Sequence, residues 1–379
     1  MYDLEDFEAD ISLEEESLPV CNTMLIGVGG AGCNTIRRLL DSDVTSTVFV
    51  GVNTDRQQLI DIKKQGMLKK PNMKVKLLQI GAKLTKGQGA GAQPQVGRDS
   101  AIESEEDIRN LLKDVQLLFL TAGMGGGTGT GASPVIAKIA QDMGILVIAI
   151  VFKPHSFERN VRLNYAEQGV KELKKYVDSL IVIPNDRLSN THMLEGYARG
   201  DDVIRKALKG IAELIGKPTL INLDYADLCK VIKKKGLAHI GIGKGEGESA
   251  ELQAVSAAVK NALTDTTIRQ ASSMIISYSS GKDFDKTKIE AATNLVNDLL
   301  RPNPEVIFGL DIDPELGDQV NVIIIATGFE TEEDIRQNNV PPQVNAEPMR
   351  AEPSSSQDNE GRIGVDSEFV PSFVSKMKK

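Results

Sequence analysis

The sequence predicts an α/β protein, a doubly wound parallel sheet joined by a central helix to a smaller α+β domain. Three observations predict it. Apolar strand-like runs alternate with helical patterns from residue 20 to 186, the order that builds a parallel sheet covered by helices on both faces. Val203, Ile204, Ala207, Leu208, Ile211, Leu214 and Ile215 then keep a helical period up to Gly216, Lys217 and Pro218, so one long amphipathic helix leaves the first unit. Beyond it, strand-like runs at 239–242, 274–278, 306–309 and 320–325, with helical patterns over 250–263 and 288–300, form a second unit.

Composition narrows the class. At 379 residues the chain is long enough for two cores. No run approaches the length of a membrane span, and the N-terminus is acidic from Asp3 to Glu16 rather than basic and apolar. A cytoplasmic protein without direct membrane insertion is expected. A net charge of -9 argues against a general nucleic-acid binder. Cys21, Cys33 and Cys229 are too scattered for a disulfide framework or zinc site, and His155, His192 and His239 stand alone, so no metal site built from protein ligands is expected.

Taken in order, residues 1–19 are polar and acidic and are expected to form a flexible extension. Met24 to Val28 reads as a buried strand, and Gly29, Gly30, Ala31, Gly32, Cys33 and Asn34 open a helix. Gly27, Gly29 and Gly32 spell G-x-G-x-x-G, which on its own is a dinucleotide fingerprint, and Asp55, after the strand Thr47 to Val52, sits where such an enzyme holds a ribose. Residues 84–98 read as a glycine-rich loop, 102–112 as a helix and 117–121 as a strand. Gly123, Met124, Gly125, Gly126, Gly127, Thr128, Gly129, Thr130 and Gly131 follow, and Ser133 with Pro134 reads as the start of the next helix. A strand, a glycine loop and a helix start make an anion site, because the free N–H groups and the helix dipole favour phosphate oxygens. No glycine-lysine pair has the spacing of a P-loop. Ile145 to Val151 reads as a central parallel strand.

Gly125 to Gly131, GGGTGTG, resembles the signature box of the tubulin and FtsZ superfamily, and the resemblance to the FtsZ family runs from about Val20 to about Phe329. It implies a GTPase of the cell-division cytoskeleton that polymerises head to tail, with GTP or GDP and a magnesium ion bound in one subunit and hydrolysis completed by the next. By resemblance the ligands of the nucleotide are Gly29 to Asn34, Asn53, Gly123, Gly125 to Gly131, Glu158, Arg162 and Asn185, with Tyr197 stacking on guanine and Asp202 reading its edge. The connection before Tyr197 is a few residues shorter than in bacterial members, and Asp201 stands where asparagine is commoner. Asn222, Asp224 and Asp227 match the N-x-D-F-x-D hydrolytic loop, with Tyr225 in place of phenylalanine. Two carboxylates and an amide on a short loop can orient and polarise a water.

The domains implied are a GTP-binding domain at 20–200, a connecting helix and the start of the hydrolytic loop at 201–222, and an assembly and activation domain at 223–329. Residues 330–366 read as a disordered linker and 367–379 as a partner-binding peptide. In that peptide Phe369, Val370, Pro371 and Phe373 form an apolar cluster that gains nothing unless it docks, and it resembles the family's anchor for membrane-tethering division proteins. The resemblance thus places the protein at mid-cell beneath the membrane. Two other readings remain open: a tubulin-like protein for cell shape or plasmid position, and a nicotinamide-dependent oxidoreductase built on the fingerprint.

Overall fold

The computed structural model describes residues 21–40, 47–69, 74–188, 193–216, 225–233, 235–260, 268–281 and 285–329. The acidic segment 1–19, the hydrolytic-loop residues Asn222 and Asp224, the linker 330–366 and the peptide 367–379 lie outside them.

The first half runs β1 (Thr23–Val28), α1 (Gly29–Leu39), β2 (Val48–Asn53), α2 (Arg56–Lys69), β3 (Val75–Gln79), α3 (Ala82–Thr85), α4 (Pro94–Glu103), α5 (Glu105–Leu111), β4 (Leu117–Gly123), α6 (Thr128–Asp142), β5 (Leu146–Lys153), α7 (Asn160–Leu173) and β6 (Ser179–Pro184). The long helix α8 (Met193–Gly216) leads to α9 (Tyr225–Ile232). The second half runs β7 (Gly236–Glu246), α10 (Ala250–Lys260), β8 (Ser273–Ser280), α11 (Lys286–Asn297), β9 (Glu305–Ile312) and β10 (Gln319–Thr327).

Strand order is β3-β2-β1-β4-β5-β6-β7-β10-β8-β9. The first six strands are parallel in doubly wound order, with β1 and β4 paired at the centre from Thr23 with Leu117 to Val28 with Ala122. Both strands read as continuous apolar runs because helices cover both faces. One core cluster lies on the side of α1, α8 and α9, the other on the side of α5, α6 and α7. The two halves meet in one sheet along a short seam, Ser179 with Gly236 and Leu180 with Leu237. β10 is antiparallel to both neighbours, so the second half is mixed, as an α+β unit requires.

Three expected boundaries are corrected. The helix after the glycine box begins at Thr128, so Ser133 is no cap and Pro134 lies inside it; the Ser133 hydroxyl donates back to Gly129 O at 2.6 Å. The expected loop at 84–98 already holds α3 and the start of α4, and the helix expected at 102–112 is broken at Ser104. Gly97 hid α4 by lowering helix propensity, but it is there for packing: a Cβ on it would lie 2.4 Å from Gly127 O. The long helix, expected from residue 201, starts at Met193, so residues 197–200 are helical rather than part of the connection before it.

Candidate functional site

Parallel strands deliver their C-terminal ends to one edge of the sheet, and the helices that follow start there. Gly29 opens α1 at φ +70°, where an L side chain is strained, and a Cβ on it would lie 2.8 Å from Gly129 N. The starts of α1 and α6 therefore touch. Neither has a side-chain cap, so their first-turn N–H groups remain for an anion. Gly125 turns the box at φ +92° and donates its N–H to Thr130 Oγ1 at 2.8 Å, and Thr128 shares a hydroxyl hydrogen bond with Thr54 at 2.7 Å. Gly126 faces open space, the nearest atom to a Cβ there being Gly123 O at 4.0 Å.

Several of the expected ligand positions are also packing positions. Gly131 is where α6 meets α4, since a Cβ would fall 1.9 Å from Pro94 O. Gly127 is tight against Gln93 N at 2.9 Å, and Gly32 against Gly27 and Thr121 O, the close contact of helix with strand. The Cys33 side chain points into the core, 3.8 Å from both Gly27 O and Val52 O, and burial pushes its thiol up to about 12. Asn53 is buried and spends its side chain on Gln58 at 3.0 Å and on Asp55 N at 3.2 Å. It shapes the turn behind Gly30.

Beside these loops opens a cavity of about 490 Å³, the size of a small-ligand site. Ala31, Asn34, Gly123, Glu158, Arg162, Asn185 and Tyr197 line it as expected. Glu158 pairs with Arg162 at 2.7 Å and accepts from His155 N at 2.8 Å. The His155 ring hydrogen-bonds Asp186 at 2.8 Å and stacks on Phe157, so it braces the cavity wall.

Asp202 is a correction. It does not line the cavity but turns along its own helix to Arg205 at 2.6 Å and Lys206 at 2.5 Å. Burial alone would raise its carboxyl, yet the two cations hold it below the usual range. The carboxylate that this helix gives to the cavity is Asp201, which accepts from Thr35 Oγ1 at 2.9 Å and from both Nε and Nη2 of Arg38. Helical geometry explains the exchange: Tyr197 and Asp201 are i and i+4 and share a face, whereas Asp202 is turned about 100° away. Thr35, Arg38 and Phe157 also line the cavity and were not foreseen. The first two follow Ala31 and Asn34 by one helical turn, a spacing that could have found them.

Asp227 lies elsewhere. It sits in α9 and pairs with Lys230 at 2.7 Å. Tyr225, at the start of that helix, donates its hydroxyl to Gln116 O at 2.8 Å, just before β4, while the far end of β4, Gly123, lines the cavity. The two regions thus lie at opposite ends of a strand roughly 20 Å long.

The Tubulin/FtsZ family GTPase domain matches residues 22–192, and the FtsZ family C-terminal domain matches 236–330. An FtsZ dimer from M. jannaschii is 38% identical over 81% of this chain and 88% of its own, with a TM-score of 0.73. A GTPγS-bound CetZ2 protofilament from Haloferax volcanii shares the fold at 20% identity and a TM-score of 0.67, over 83% of this chain and 96% of its own. The glycine loops, the bordering cavity and both matched domains agree, and the nicotinamide reading falls away: the chain belongs to the FtsZ family of the tubulin/FtsZ superfamily of GTPases.

Proposed function

We propose that this protein polymerises head to tail with GTP to organise the division ring, and that GTP is hydrolysed where two subunits meet. One observation carries the reading. The helix bearing Asp227 is tied to the edge of the sheet opposite the cavity, so that carboxylate is out of reach of its own subunit's phosphates. A head-to-tail contact brings one subunit's lower edge onto the next one's upper edge, and such a contact repeats into an open filament.

In the pocket, the first-turn N–H groups of α1 and α6 would hold the phosphates, and Gly126 leaves them room. Tyr197 offers a ring to stack on the base and Asp201 an acceptor for guanine's N–H edge, with Arg38 and Thr35 orienting that carboxylate. Adenine presents an acceptor at the same edge and would meet repulsion. Asn222, Asp224 and Asp227 of the adjoining subunit would orient the attacking water. A magnesium ion would be held by the nucleotide phosphates and water. No helix of the described residues is long and apolar enough to cross a membrane. We therefore assign attachment beneath the membrane to a tethering division protein that takes Phe369, Val370, Pro371 and Phe373.

Turnover measured against protein concentration, with GTP, ATP and NAD in separate series, tests the reading. Specific activity should rise with concentration for GTP alone. A constant specific activity at every dilution, or equal affinity for ATP, would overturn it.

A further inference from the structure

Tyr225 is the first residue of α9 and follows Asn222 and Asp224 directly in sequence. Its hydroxyl donates to Gln116 O at 2.8 Å, and the same carbonyl accepts from Leu146 N at 3.0 Å, so both its lone pairs are used. Gln116 is itself held on two sides: its N–H donates to Asn22 O at 3.0 Å, and its side-chain oxygen accepts from Asn22 N at 3.1 Å. Asn22, Gln116 and Leu146 stand where β1, β4 and β5 begin. One phenol therefore fastens the start of α9 to the central three strands of the sheet. A phenylalanine would fill nearly the same volume and lack only the hydroxyl, with its attachment to Gln116 and its contact with the Cys229 thiol.

We infer that Tyr225 is a positioning residue for hydrolysis, its hydroxyl fixing the height and direction at which Asp227 of the same helix meets the next subunit's nucleotide. The inference rests on the shared-site reading above. Burial pushes the phenol's pKa up, so the group remains a donor at any working pH. The attachment is remote from the cavity, so it acts on the rate and not on nucleotide affinity.

The test is Tyr225→Phe in the full chain, assayed alone and mixed with Gly126→Val, whose added side chain enters the open space meant for phosphate while its loop stays sound. Turnover per polymerised subunit should fall about fivefold, with the KM for GTP, the thermal midpoint and the sedimentable fraction unchanged. Mixing should raise turnover above either variant alone, because sound pockets of the Tyr225→Phe protein then meet sound loops of its partner. A hydroxyl that served stability alone would lower the thermal midpoint and leave turnover per polymerised subunit intact, and that result overturns the inference. Undiminished turnover in Tyr225→Phe, with specific activity still rising with concentration, overturns the positioning role and leaves the shared site standing. If specific activity of the unaltered protein does not rise with concentration, the shared site falls and the positioning role falls with it.

Discussion

Arg38 and Asp201 stand 163 residues apart in sequence and form a two-pronged ion pair at the wall of the cavity, joined by Thr35 on the same carboxylate. Three of the roughly four acceptor positions of Asp201 are thereby occupied, and a guanine N–H edge would enter a site already shaped for it. Asp201→Ala should weaken GTP binding by about ten- to a hundredfold, the loss of a hydrogen-bonded charged acceptor. Asp202→Ala, which removes only contacts to Arg205 and Lys206, should leave affinity within about twofold. Titration with a fluorescent GTP analogue separates the two, and equal losses would place the base elsewhere.

The glycines divide by task. Gly131→Ala puts a methyl 1.9 Å from Pro94 O and should destabilise the fold by about 3 kcal/mol or more, seen as a lower thermal midpoint without nucleotide. Gly126→Ala meets nothing closer than 4.0 Å, so the midpoint should hold while GTP affinity falls. Loss of stability in both would mean that the box is a packing element throughout.

Acid should loosen the cavity wall. The hydrogen bond from His155 holds the Asp186 carboxyl below its ordinary value of 3.8, aided by Ser156 N–H at 3.0 Å. A depressed folded-state pKa means that the ionised form is favoured by folding. The contribution is complete above the unfolded value and is lost as pH falls through the folded one. Asp186 is well exposed, so the effect is small. Thermal midpoints measured from about pH 5 down to about pH 3 should fall less steeply for Asp186→Asn than for the unaltered protein. Parallel slopes would show that the pair does not couple to folding.

Removing residues 368–379 should leave GTP turnover near normal and abolish recruitment to a membrane-bound tether. In sequence the polar stretch 330–366 lies between the matched domains and the apolar cluster, so binding and catalysis should part cleanly. Normal recruitment of the truncated protein in a vesicle co-sedimentation assay would make Phe369 and Phe373 incidental.

The doubly wound half was legible because each parallel strand must be apolar on both faces and each glycine loop must sit between a strand and a helix. Ala31, Asn34 and Tyr197 were found by motif. Asp201 was missed because the start of α8 at Met193 carries little apolar periodicity, and without that start residues 197–202 have no faces to compare. The packing roles of Gly131 and Cys33 were not legible for the opposite reason. A motif marks both the residues that touch a ligand and those that let backbones approach, and only the neighbours of each Cβ tell them apart. The brace of His155, Asp186 and Phe157 joins residues 31 positions apart, beyond any local pattern.

β4 runs from the fastening point of Tyr225 at Gln116 to the cavity at Gly123, and its consequence reaches past the single subunit. On the proposed mechanism every filament ends in two chemically different surfaces. One terminal subunit offers a loaded pocket that no loop has covered. Its triphosphate survives however long the subunit has waited, while nucleotides behind it are consumed as soon as they are enclosed. The age of a filament is then recorded by position along it rather than by elapsed time, and losing that one uncovered subunit leaves a spent subunit at the end.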